Sequence, residues 1–139
     1  IPEQVIPRPG ATELLDYLHT RGVPMAIASS SPMAIIDTVV ESQGWAHYFQ
    51  TWISGDSVAH GKPAPDIYLE AARRLGYAPE HVLTLEDSRN GARSAVAAGM
   101  ICYAIPDPTH NSHADFDGIT PYVFDSLHEV LQNLEQGCV

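Results

Sequence analysis

The feature that most constrains this chain is an alternation. Short apolar runs at 24–28, 51–54, 81–85, 100–105 and 122–124 are separated by stretches whose apolar residues recur at helical spacing. Ala11, Leu14, Leu15 and Leu18 share one helical face, and Gly22 closes that helix. Met33, Ile36 and Val40 mark a second helix, with Ser31 read as its N-cap and Pro32 as its first residue. Tyr68, Ala71, Ala72 and Leu75 mark a third, opened by Pro65-Asp66 and stopped by Gly76. Ala92, Ala95 and Val96 form a small-residue face suited to close packing on a sheet, and Leu127, Val130, Leu131 and Leu134 mark the last helix. Strands alternating with helices predict right-handed crossover units on a parallel sheet: an α/β, Rossmann-like domain flanked by helices. The polar stretch at 107–118 reads as an exposed loop.

The chain has 139 residues, a hydrophobic content of 45% and a formal net charge of -10. One compact domain with a real core is expected. The acidic balance argues against a broad nucleic-acid or anionic-membrane surface, which would collect Lys and Arg. No apolar run is long enough to cross a bilayer. Cys102 and Cys138 have no metal-ligand spacing and read as reduced thiols of a cytoplasmic protein. His110 and His113 read as solvated loop residues, and Trp45, Tyr48, Phe49 and Trp52 as core packing.

In a parallel sheet, ligands bind outside the carboxyl ends of the strands. Three groups stand there. Ser29, Ser30 and Ser31 follow the first run, where a helix start offers N–H groups to an anion or the serines simply form a polar cap loop. Gly61-Lys62-Pro63-Ala64-Pro65-Asp66 places a lysine in a loop stiffened by two prolines, with Asp66 in the first helical turn as a dipole partner. Glu86 and Asp87 are adjacent carboxylates at the end of a buried strand. A hard cation such as Mg2+ would relieve their repulsion; otherwise Asp87 or Ser88 caps the next helix and Glu86 is solvated. A hydroxyl, an ammonium and a carboxylate pair at one sheet edge are the equipment of phosphoryl transfer.

The segments Ala26-Ile27-Ala28-Ser29-Ser30-Ser31, Gly61-Lys62-Pro63-Ala64-Pro65-Asp66-Ile67-Tyr68 and Leu85-Glu86-Asp87-Ser88-Arg89-Asn90-Gly91 resemble three signatures of the haloacid dehalogenase superfamily, in its β-phosphoglucomutase and sugar-phosphate phosphatase branch. Ala97-Ala98-Gly99-Met100 and Asp125-Ser126-Leu127 fit the same branch. The resemblance implies a Mg2+-dependent hydrolase acting on a small phosphorylated metabolite, in the first instance a sugar phosphate, through an aspartyl phosphate. It implies that Ser29 and the Ser30 backbone bind the transferring phosphoryl group, that Lys62 neutralises phosphate and nucleophile, and that Glu86 and Asp87 help hold Mg2+. Transfer of the β-phosphoglucomutase type is the alternative activity.

The family nucleophile belongs to an Asp-x-Asp motif on a strand that would precede residue 1, followed by a helical cap. Residues 1–139 therefore read as a partial core domain lacking that strand and the cap, inactive alone or a remnant that only binds metal or phosphate. Losing a central strand would expose edges and apolar surface. The missing segment as a separate chain, or self-association through the gap, is accordingly expected. Asp115-Phe116-Asp117 spells the nucleophile motif, but polar, turn-forming residues precede it where a buried strand is required. A receiver domain would place its acidic pair before its hydroxyl and lysine. A nicotinamide-binding domain would show G-x-G-x-x-G after the first strand.

Overall fold

A computed structural model describes residues 8–137. Its elements in chain order are α1 (Ala11–Thr20), β1 (Ala26–Ser29), α2 (Met33–Gln43), β2 (Thr51–Ser54), α3 (Asp66–Leu75), β3 (Leu83–Glu86), α4 (Arg89–Ala97), β4 (Ile101–Ala104) and α5 (Leu127–Glu135). Short 3-10 turns occupy Gly55–Ser57, Pro79–His81 and His113–Phe116. Cys138 lies outside the described residues, and no described helix is long and apolar enough to cross a membrane.

The chain is α/β with parallel strands flanked by helices, as the alternation predicts. The single continuous sheet is not observed. β1 pairs in parallel with β2, from Ala26 opposite Thr51 to Ser29 opposite Ser54. β3 pairs in parallel with β4, from Leu83 opposite Ile101 to Glu86 opposite Ala104. These are two separate ladders. The run at 122–124 contributes only a bridge between Val123 and Ala104. β1 and β3 face each other across an apolar groove of about 800 Å³, lined by Ala26, Ile27 and Ala28 on one side and Leu83, Thr84 and Leu85 on the other. Exposed Val23, Tyr77 and Leu85 belong to its walls.

Side-chain alternation along β4 builds two cores, because successive strand residues point to opposite faces. Cys102 and Ala104 join Ile53, Ile67, Ala92, Ala95 and Phe116 on the face covered by α3 and α4. Tyr103 and Ile105 join Leu14 and Val130 on the face covered by α1 and α5. Gly10 lets α1 start close to α5. Its φ is +87°, and a Cβ there would lie 2.7 Å from the His128 backbone nitrogen.

Three local expectations need correction. Pro32, not Ser31, occupies the cap position of α2, with no side-chain cap bond. The serine triplet forms its own turn instead, with the Ser31 N–H donating to Ser29 Oγ at 3.1 Å. The 107–118 stretch is not a plain exposed loop: its 3-10 turn drives Phe116 completely into the core. Trp45, Tyr48, Phe49 and Trp52 are only half-buried. Tyr48 donates to Asp16, and Trp52 Nε1 donates to Asp37 at 2.8 Å, so their polar ends hold them at the surface.

Phe116→Ala should destabilise the fold by about 3–5 kcal/mol, the cost of emptying a packed aromatic site. Urea unfolding monitored by circular dichroism measures it, and a loss below ~1 kcal/mol would place Phe116 outside the core.

Candidate active site

The carboxyl ends of β1, β3 and β4 open on one cavity of about 480 Å³, whose walls include Ser29, Ser30, Lys62, Glu86, Asp87 and Arg8. The three groups separated in sequence are thus brought together. Ser29 ends β1, and Ser30 is exposed beyond it. The turn they form is fastened from β2 by Ser54, whose hydroxyl donates to the Ser31 carbonyl at 2.7 Å.

Lys62 reaches in from the loop before α3. Its Nζ donates to the Ala28 carbonyl at 3.2 Å and to Glu86 Oε2 at 2.5 Å. The side chains of Lys62 and Glu86 are only 12% and 7% exposed, so this is a nearly buried ion pair rather than a screened surface one. Tyr68 completes it. The buried phenol also donates to Glu86 Oε2, and the lysine ammonium lies 5.0 Å from the ring centroid. Burial first, and then the Glu86 charge, push the Tyr68 pKa far up, so the phenol stays a donor. Asp66 does more than face the helix dipole. Its carboxylate accepts the His60 N–H at 3.1 Å and faces His60 Nδ1 at 3.2 Å, closing the loop that carries Lys62.

The two adjacent carboxylates part company. Glu86 is buried and turned to Lys62 and Tyr68, not solvated. Asp87 is exposed, and among the described residues its carboxylate holds no hydrogen bond or ion pair; only its backbone carbonyl is engaged, by Asn111 Nδ2 at 3.2 Å. Ser88 caps α4, accepting the Gly91 N–H at 3.1 Å, which leaves Asp87 free of that duty. For Mg2+, the donors are of the right kind: hard carboxylate oxygens, one of them unengaged. No group of three or more acidic, His or Cys side chains able to hold a metal occurs among the described residues. Asp87 would be the principal ligand from this chain and Glu86 its buried neighbour. Further oxygens would come from substrate, water or other residues.

Tyr68 and Arg8 escape a reading of the sequence. Tyr68 looks like one more apolar residue of the α3 stripe, and only its hydroxyl ties it to Glu86 and Lys62. Arg8 donates from Nη1 to the Ile105 carbonyl at 2.6 Å and from Nη2 to the Pro106 carbonyl at 3.2 Å. That meeting spans 97 residues, so no local signal announces it.

The decoy motif has a structural duty. Asp115 accepts the Ser112 N–H at 2.9 Å in a capping box, and Phe116 is core. His113 faces Asp125 at 2.6 Å. Cys102 is a buried free thiol whose pKa is pushed up to about 12, by burial and then by the Glu86 charge.

Gly91→Ala tests the packing around Glu86. A Cβ at Gly91 would overlap the Glu86 carboxylate. Ala normally favours a helix interior over Gly by ~1 kcal/mol. Here we expect the opposite sign, a loss of about 1–3 kcal/mol, because Glu86 must give up its bonds to Lys62 and Tyr68 to make room. Chemical denaturation of the variant decides the sign.

A family model for haloacid dehalogenase-like hydrolases matches residues 1–99. The bifunctional riboflavin kinase/FMN phosphatase of Arabidopsis thaliana is 37% identical over 127 residues, covering 91% of this chain and 31% of that protein. A haloacid dehalogenase family hydrolase from Deinococcus radiodurans R1, solved with bound phosphate and sodium, superposes with a TM-score of 0.84 at 29% identity, over 94% of this chain and 59% of that one. CbbY from Rhodobacter sphaeroides, solved with xylulose-1,5-bisphosphate, gives a TM-score of 0.81 at 34% identity, over 88% and 55%. The chain spans only part of the length of each of these proteins. With the family model matching most of the chain and the fold shared at this level, the chain belongs to the haloacid dehalogenase-like hydrolases.

Proposed function

We propose that this chain is the phosphate- and metal-binding part of a Mg2+-dependent phosphohydrolase acting on a small phosphorylated metabolite, in the first instance a sugar phosphate. The observation that carries the reading is the Lys62 ammonium, held between the Ala28 carbonyl and Glu86 in a cavity shared with the Ser29 hydroxyl and the unengaged Asp87 carboxylate. Relatives named for FMN phosphatase activity, or solved with a sugar bisphosphate, support the substrate class.

In this reading Ser29 Oγ and the Ser30 N–H bind oxygens of the phosphoryl group, and Lys62 offsets its charge as the transition state loosens. The nucleophile is a carboxylate from a segment outside residues 8–137. Its oxygen bonds to phosphorus while the phosphorus–ester oxygen bond breaks, and the departing alcohol takes a proton. Water then attacks phosphorus of the acyl phosphate, releasing inorganic phosphate and restoring the carboxylate. Mg2+, when bound beside Asp87, supplies further charge neutralisation. The groove between β1 and β3 is the route by which the nucleophile enters. An extended apolar strand from a preceding segment or a separate chain, parallel to both free edges, would unite the two ladders and end at the cavity. The free Cys102 thiol suits a reducing, cytoplasmic setting.

Binding, turnover and sedimentation measurements test this. Inorganic phosphate, titrated calorimetrically with Mg2+ present, should bind the chain, and Lys62→Gln or Ser29→Ala should weaken binding about tenfold, as loss of one charge-assisted bond requires. Unchanged affinity in both variants would remove the basis of the assignment. Hydrolysis of p-nitrophenyl phosphate should appear only when the chain is co-expressed with the amino-terminal part of a relative such as CbbY. Turnover by the chain alone, abolished by Asp115→Asn, would instead make Asp115 the nucleophile. Self-association closing the groove would appear as a dimer in sedimentation that blocks this complementation. Conversion of β-glucose 1-phosphate to glucose 6-phosphate without phosphate release would make the enzyme a mutase.

A further inference from the structure

We propose that Tyr68 is a positioning residue for the reaction: its hydroxyl shares Glu86 Oε2 with Lys62 and so loosens the carboxylate's hold on the ammonium, leaving the lysine charge available to a phosphoryl group. The inference rests on the reading that Lys62 binds that group.

Packing explains the ring of Tyr68 and not its hydroxyl. The side chain is buried and belongs to the core cluster that holds Ala71, Ala72, Ala92 and Phe116. A phenylalanine would fill the same space. It would also keep the ring face toward the ammonium, whose Nζ lies 5.0 Å from the centroid. What the hydroxyl alone adds is a pair of hydrogen bonds at the cavity wall. It donates to Glu86 Oε2, and it accepts from Lys62 Nζ at 3.4 Å.

Glu86 Oε2 therefore takes two donors, the ammonium at 2.5 Å and the phenol. With both partners nearly closed to water, the attraction between Lys62 and Glu86 is little screened. A phosphate oxygen must compete with that carboxylate for the same charge. A neutral second donor on the same oxygen satisfies part of the carboxylate's demand, so the ammonium is held less tightly than it would be alone. The Ala28 carbonyl, one residue before Ser29, meanwhile keeps Nζ at the end of β1. As an acceptor, the hydroxyl also occupies an N–H of the lysine, which works the other way. At 3.4 Å that contact is the longest of the three the ammonium makes, beyond the usual N–H···O range, and an incoming phosphate oxygen replaces it at little cost. The donor role, made to a charged group, is the larger effect.

The test is isothermal titration of inorganic phosphate in saturating Mg2+, and of Mg2+ alone, on the wild-type chain, Tyr68→Phe, Lys62→Gln and the double variant. Tyr68→Phe should weaken phosphate about fivefold, part of the worth of one charge-assisted bond, and leave Mg2+ affinity within twofold. In the Lys62→Gln background the same change should leave phosphate binding where Lys62→Gln alone puts it, because the hydroxyl acts through the lysine. 3-Fluorotyrosine at position 68, a stronger donor of nearly the same volume, should tighten phosphate about twofold, and it carries the test if the Phe variant fails to fold. Equal weakening by Tyr68→Phe in both backgrounds would make the hydroxyl a general structural element. Unchanged or tighter phosphate binding in Tyr68→Phe, or no gain with fluorotyrosine, would deny it any role in binding. A larger loss of Mg2+ affinity would assign it to the metal site. Each of these overturns the inference while the phosphate site stands. Phosphate binding indifferent to Lys62→Gln would instead remove the reading beneath it.

Discussion

The ion pair of Lys62 and Glu86 joins two halves of the molecule that no backbone ladder joins. Lys62 arrives on the loop after β2, Glu86 ends β3, and the ammonium also bonds Ala28 on the facing edge of β1. Such a buried pair adds little net stability over apolar packing, because both charges must be desolvated. Breaking it is another matter. Removing one partner strands the other charge in a site nearly closed to water, at a cost of about 3–5 kcal/mol. Stability and chemistry are coupled here: the contact that aligns the two ladders is also the one that fixes the ammonium at the cavity.

Glu86 and Asp87 show how one dipeptide serves two ends. Alternation along a strand sends neighbouring side chains to opposite sides. Glu86 is carried inward, against Tyr68, Lys62 and the bare backbone of Gly91. Asp87 is carried out to the cavity, and Ser88 relieves it of capping α4. The buried acid orients the cation, and the exposed acid stays available to a metal ion. Tyr68 makes the first role possible, since a neutral donor satisfies the carboxylate without competing for charge.

Much of the fold was legible in the chain. Helical faces such as Tyr68, Ala71 and Ala72, and the alanines of α4, follow from spacing because helical burial is periodic and local. The strands were legible as apolar runs, with ends displaced by a residue or two. Ser29, Glu86 and Asp87 were legible because each stands at the end of such a run, where strand ends converge in a parallel sheet, and Lys62 because two prolines stiffen the loop that carries it. The break between β1 and β3 was not legible as geometry, and the burial of Phe116 within a polar stretch was not legible at all. Both depend on what lies opposite in space. The half-exposed aromatic group near β2 was misread for the same reason: aromatic composition does not reveal which polar partners, here Asp16 and Asp37, will hold the rings at the surface.

What the sequence alone determined is the parallel α/β layering and the set of polar groups at its carboxyl edge, because period and order along the chain dictate which residues can end a strand. Tertiary structure alone decided that Lys62 pairs with Glu86 rather than Asp87, that Tyr68 contributes through its hydroxyl, and that Arg8 reaches the cavity from the far end of the chain. Those outcomes rest on packing between elements tens of residues apart, and side-chain direction and burial exist only once those elements have met.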